Sequence, residues 1–171
     1  MSIWPCRKTH VAFLFILLLG LVSCSAPNQT KEAALSIELN GEMLFEGANS
    51  LQANGEMLSQ ILEVAELTAD QISGIQIGSA EITMNENSRR IIENLSLQLV
   101  SNNQEMTTLG ALNPLPAGNV ATLKMAEAAD ILPYLKDEGL TWVLDVNLTE
   151  DHFDELSVTG KFTFIVEYKN N

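Results

Sequence analysis

The densest group of chemically capable side chains is Glu150-Asp151-His152-Phe153-Asp154-Glu155, four carboxylates and an imidazole in six residues. Oxygen-rich runs can hold a hard cation, which makes Glu150, Asp151, Asp154 and Glu155 the candidate calcium ligands. The run lacks the D-x-D-x-D-G spacing of a calcium loop, however, and sits between two strand-like segments, where a solvated turn is polar anyway. Zinc asks for about four N, S or O donors at close range, and His152 is the only histidine beyond His10. No metal and no cofactor are therefore expected, and His152 reads as part of a solvated turn. Asp145 and Glu167 could meet if their strands are neighbours, but outward-facing charge on a sheet is the ordinary explanation for both. No G-x-S-x-G elbow or Walker loop occurs, so the chain is not expected to be an enzyme. Phe153 reads as a cover over the turn, with a partner-facing anchor as the alternative. Met43, Met57, Met84, Met106 and Met125 are too dispersed for a soft-metal site and read as core filler.

The most specific chemistry lies at Cys24. Arg7 and Lys8 precede an apolar stretch from Val11 to Val22, which ends at the small residue Ser23 and then Cys24, the three-part order of a secretory signal. Twelve helical residues rise only about 18 Å against a hydrocarbon core of about 30 Å, too short to span comfortably. The tetrapeptide Leu21-Val22-Ser23-Cys24 resembles the lipobox of bacterial lipoproteins. That resemblance covers the first 24 residues and implies cleavage between Ser23 and Cys24, a diacylglyceryl group on the Cys24 sulfur, and acylation, typically palmitate, of the new amino terminus. Two or more chains at about 0.8 kcal/mol per buried methylene anchor a domain where one chain gives only marginal binding. The alternatives are a plain secretory peptide cut near Ser25-Ala26 and an uncleaved anchor. Ser25, where the family's inner-membrane proteins carry Asp, implies the outer membrane of the bacterial cell envelope.

Residues 1–23 thus read as a cleaved signal peptide, 24–33 as a lipidated flexible tether, and 34–171 as a single domain. The tether reading rests on the small, polar, aperiodic run from Ser25 to Ala33. The 148 residues from Cys24 onward carry seven Lys and Arg against 22 carboxylates, a formal charge of −15. Such a balance disfavours nucleic acid, whose recognition needs cations against phosphate, and the Arg89-Arg90 pair reads as a solvated turn. Cys6 leaves with the signal and Cys24 is taken by lipid, so the domain must stand without disulfides.

The patterning beyond Ala33 is mainly that of strands. Leu35, Ile37 and Leu39 alternate with polar residues, and Asn40-Gly41 suits a type I′ turn into Glu42–Glu46, or else a bulge in one longer strand. Leu58, Ile61, Leu62 and Ala65 recur at helical spacing within Met57–Leu67, and Thr68-Ala69-Asp70-Gln71 has the form of a capping box for a second turn. Strands are expected over Ile75–Met84 and Ile91–Val100, on either side of the turn-rich Asn85–Ser88. Gly78 should carry a bulge, because apolar parity shifts across it. Asn113–Gly118 reads as a loop, Asn119–Ala126 as a strand and Asp130–Lys136 as a short helical turn, with Asp130 as cap and Pro133 in the first turn. Leu140–Leu148 and Leu156–Tyr168 show the clearest alternation and are expected to pair as an antiparallel hairpin.

About seven strands with one apolar face each favour an antiparallel, immunoglobulin-like β-sandwich with one or two short helices; an α+β sheet carrying the 57–73 helix is the alternative. In layout the mature part resembles uncharacterised envelope lipoproteins of Gram-negative bacteria, chiefly through Asp130–Lys136 and the two long strands after it. These features point to a membrane-anchored, non-enzymatic binding or assembly module for an envelope protein or glycan. The alternative is a carrier for an apolar small molecule or lipid. Replacing Cys24 with Ala is expected to abolish incorporation of a labelled lipid precursor and to release the protein from membranes; persistent labelling would refute the lipobox assignment.

Overall fold

The computed structural model describes residues 28–127 and 129–169, so the lipobox and the signal lie outside the described residues. The chain runs through β1 (Gln29–Gly41), β2 (Gly47–Asn54), α1 (Leu58–Ala65), β3 (Ile72–Met84), α2 (Glu86–Ile91), β4 (Ile92–Val100), β5 (Thr107–Leu112), β6 (Val120–Thr122), β7 (Lys124–Met125), α3 (Leu132–Leu135), β8 (Thr141–Leu148) and β9 (Leu156–Tyr168). The strands form one antiparallel sheet in the order β6-β3-β9-β1-β2-β8-β4-β5-β7.

The two outermost strands, β6 and β7, are consecutive in the chain and separated only by Leu123. Leu123 N–H donates to Ala80 O (2.9 Å) and Ala126 N–H to Leu109 O (2.8 Å), so this one segment is fastened to β3 on one side and β5 on the other. The sheet thereby nearly closes on itself as a barrel, which corrects the expected two-sheet sandwich and its immunoglobulin-like topology. Bridging the two edges hides the unpaired backbone that an open sheet would expose. Gly110 permits the close approach: a Cβ there would stand 3.0 Å from Lys124 O and 3.1 Å from the Met125 sulfur.

The expected β8–β9 hairpin is also corrected, because β1 and β2 lie between the two strands. β1 pairs with β9 through thirteen residue couples, Gln29↔Tyr168 to Gly41↔Leu156, and β2 pairs with β8 through eight. Residues 29–33, expected in the flexible tether, are therefore strand. The second strand of the first hairpin is Gly47–Asn54 rather than Glu42–Glu46. Two readings fare better, since α1 forms with Ile61, Leu62 and Ala65 buried, and the register slips between Ile77 and Ser79, at Gly78. Gln71 Oε1 does accept the Thr68 N–H (2.9 Å), but β3 begins at Ile72 in place of a second helix. Asp130 accepts from Leu132 N–H and Ile75 N–H, both at 3.0 Å, tying α3 to β3.

Alternation along the longer strands sends apolar residues inward and mostly polar ones outward. β8 and β9 meet across the interior: Trp142 stacks on Phe162 (4.9 Å between centroids, 27°) and stands edge-on to Phe164 (6.2 Å, 79°). Each ring is essentially inaccessible; full burial of such a side chain is worth about 1.5–3 kcal/mol, and aromatic pairing adds about 0.5–1.5 kcal/mol. Outside, Asp145 accepts from Ser50 Oγ (2.6 Å) and Gln98 Nε2 (2.7 Å), linking β2, β8 and β4. A net hydrogen bond contributes about 0.5–1.5 kcal/mol, so the interior aromatics dominate and the outer network sets register. Ser101 Oγ (2.8 Å), Asn103 N (2.7 Å) and Asn103 Nδ2 (2.6 Å) all donate to Asp137, joining the β4–β5 loop to the end of α3.

Two outcomes follow from this packing. A Cβ on Gly160 would lie 2.6 Å from Phe162 Cζ and 3.3 Å from Leu39 Cδ1, so Gly160→Ala is expected to destabilise by about 1–3 kcal/mol in chemical denaturation; an unchanged midpoint would contradict this packing. The Asn103 side chain, aided by Ser101, holds the Asp137 pKa below the usual 3.8. A depressed folded-state value means this stabilisation is complete above pH 3.8 and is lost as pH falls through the lower value. The Asn103 amide is expected to lose hydrogen-exchange protection in that acid range, and Asp137→Asn should remove the pH dependence.

Candidate functional site

One end of the barrel is formed by the β1–β2 loop, residues 42–46, and the β8–β9 loop, residues 149–155. Although β8 and β9 are not neighbours, their connecting loop is tied to the other by a two-way backbone bridge: Leu44 N–H donates to His152 O and His152 N–H to Leu44 O, both at 2.8 Å. Glu46 N–H donates to Asp151 Oδ1 (2.8 Å). Asn49, at the start of β2, grips the turn from below, with Oδ1 accepting from Phe45 N–H (3.0 Å) and Nδ2 donating to Phe45 O (2.6 Å) and Gly47 O (2.9 Å). Met43 has φ 54°, a left-handed conformation costing roughly 1–3 kcal/mol for a residue with a side chain. The Leu44–His152 bridge next to it and the burial of Leu44 hold it there.

The outcome is a pair of aromatic rings presented to solvent. Phe45 and Phe153 meet edge to face at 6.0 Å and 79°, yet they remain 57% and 56% exposed, and Met43 is 61% exposed. Large apolar side chains left in water are informative when clustered and rigidly held. The same loops carry Glu42, Glu46, Glu150, Asp151, Asp154 and Glu155 and contain no Lys or Arg. Arg90 approaches Glu150 at 3.6 Å, but both side chains are largely exposed, and a screened pair of that kind contributes little.

The four candidate calcium ligands share this end without forming a site. Asp151 is committed to the Glu46 amide and Glu150 faces Arg90. Among the described residues no group of three or more His, Cys, Asp or Glu side chains is arranged to hold a metal ion. Asp145 and Glu167 lie on strands separated by β1 and β2, so that carboxylate pair does not form. Arg89 is a staple, its Nη2 donating to Pro116 O (2.6 Å) and its Nε to Gly118 O (3.1 Å). Phe153, expected to cover the turn, instead stands largely exposed with its ring against Phe45. Phe45 escaped the sequence reading; its only signal is an aromatic inside a short acidic run after a turn dipeptide. Of the methionines, Met57 and Met84 are buried, whereas Met43 and Met106 are exposed.

No protein-family model matches this chain, and no curated protein matches it. Among solved structures it overlaps a chain from desmodium yellow mottle tymovirus at 8% identity and TM-score 0.34, covering 100% of this chain and 96% of that one. Two chains from turnip yellow mosaic virus, each at 13% identity and over 82% of this chain, give TM-scores of 0.28 and 0.29, with 98% and 96% of their own lengths covered. Overlaps this loose establish neither a shared fold nor a shared function.

The clamp on Phe45 generates a direct expectation. Asn49→Ala is expected to cost about 1 kcal/mol, the scale of a lost side-chain cap, and to raise hydrogen exchange over residues 43–46 while leaving the β1–β9 ladder protected. Exchange unchanged in the loop would show that Asn49 does not hold it.

Proposed function

We propose that this chain is a lipoprotein of the bacterial cell envelope, anchored through lipid on Cys24 and facing a partner with the opposite end of its barrel. It is read as a non-enzymatic binding or assembly module, with Ser25 favouring the outer membrane. The observation that carries the proposal is the disposition of β1. Its first residue, Gln29, stands five positions after Cys24, and its last, Gly41, opens the loop bearing Met43 and Phe45. Five residues reach at most about 18 Å, whereas thirteen strand residues extend about 40 Å. β1 thus separates the end of the domain that follows Cys24 in sequence from the end that carries the aromatic pair, which favours an anchor at the first end and a partner at the second.

The partner suited to this end is a protein surface with an apolar recess bordered by Lys or Arg. Rigid aromatics at the centre of a contact supply most of its energy, and the surrounding carboxylates steer a basic rim into place. A carrier role draws less support, since Trp142, Phe162 and Phe164 fill the interior between β8 and β9 and α1 is packed against β1 rather than free to lift.

A photoreactive amino acid at position 45, in intact cells, is expected to give a discrete protein adduct that disappears on Phe153→Glu. The same probe at Val64, exposed on α1, is expected to give none. Matching adduct patterns from the two positions would refute the docking end.

A further inference from the structure

β1 and β2 are neighbours in the sheet but share a single residue couple, Asn40↔Gln52. Beyond it the strands diverge, and a groove of about 450 Å³ opens between Ser36–Glu38, Gln52–Asn54 and the start of α1. That volume falls within the range of small-molecule sites, about 300–1,000 Å³. Trp142 contributes to its lining, and the Trp142 indole N–H is the one buried side-chain polar group among the described residues that has no hydrogen-bond partner. A buried donor left unpaired costs about 1–3 kcal/mol, and such a group calls for an explanation.

We infer that this groove is a binding site for a neutral, hydroxyl-rich ligand of saccharide type. The lining supplies four carboxamides (Asn40, Gln52, Asn54 and Gln60), the Ser36 hydroxyl, and the carboxylates of Glu38 and Glu56, with no Lys or Arg. An anion would meet two carboxylates and no cation. An ammonium offers donors only and would leave the carboxamide N–H groups of Asn40, Gln52, Asn54 and Gln60 without an acceptor. A polyol supplies both, its oxygens accepting from those amides while its hydroxyls donate to the carboxylates. An extended peptide fits less well, because β2 ends at Asn54, two residues past the Gln52 couple, and α1 packs against β1, whereas strand addition draws its affinity from a longer ladder. Part of the lining is already oriented: Thr141 Oγ1 donates to Asn54 Oδ1 (2.9 Å) and Ser157 Oγ to Glu38 Oε1 (2.6 Å).

This site is separate from the aromatic end and does not depend on the anchor, so the test reads it alone. Protein purified from membranes in detergent, labelled with ¹⁵N at the indoles, is titrated with maltose, cellobiose and chitobiose. Trp142 is the only tryptophan once residues 1–23 are cleaved, and in uncleaved protein Trp4→Phe identifies its peak. At least one disaccharide is expected to shift the Trp142 indole peak saturably, and Gln52→Ala with Gln60→Ala, both at exposed positions, is expected to weaken that shift at least tenfold. No shift from any of the three at concentrations tenfold above a Kd of about 1 mM, or a shift unaffected by the double variant, would overturn the inference.

Discussion

The thirteen-residue ladder between β1 and β9 is the constraint from which the rest of the molecule follows. By lying against β9, the first strand of the domain occupies the place that β8 would take in a simple hairpin, and β2 is carried in beside it. β8 is then displaced to the far side of the barrel. It contacts β9 only through side chains, with the Trp142 indole on the Phe162 ring. Closure by the short β6–Leu123–β7 segment completes the arrangement at the other side of the sheet.

That single pairing also accounts for both surface features of interest. β2 is eight residues long and β1 thirteen, so β1 runs on past the end of β2 and α1 packs along the excess. The groove opens where β2 gives way to α1. At the opposite end, displacement of β8 brings the β8–β9 loop beside the β1–β2 loop, and the Leu44–His152 bridge joins two segments that a hairpin would have kept apart. The Phe45–Phe153 contact exists because of that crossing. Interior packing supplies the energy, whereas the polar exterior, through Asp145, Glu38 and Asn147, fixes which residue faces which across the strands.

Much of this was legible in the sequence as faces and much less as neighbours. Alternation at Leu140–Leu148 and Leu156–Tyr168 correctly identified the inward side chains, the helical spacing of Leu58 to Ala65 marked α1, and the parity shift at Gly78 located a bulge. Alternation says which way a side chain points and nothing about which strand lies alongside, so proximity in the chain suggested a hairpin that the β1–β9 ladder replaces. β2, Gly-Ala-Asn-Ser-Leu-Gln-Ala-Asn, has one large apolar residue and reads as a loop; it is strand because β8 supplies a partner along its full length. β5 is disguised in the same way by Thr107, Thr108 and Gly110. Residues 29–33 look like tether because their polarity suits one, and they are ordered by β9 rather than by any propensity of their own. Phe45 and Phe153 are 108 positions apart, beyond the reach of any local pattern.

The barrel depends on the chain becoming strand at Gln29, where it pairs with the end of β9. Amide hydrogen exchange resolved over residues 29–41 and 156–168 tests it most directly. The account predicts that Thr30 to Ala33 are protected together with Phe164 to Glu167, and that both lose protection in the same cooperative step. Exchange of residues 30–33 at the rate of an unstructured chain, with β9 still protected, would contradict it.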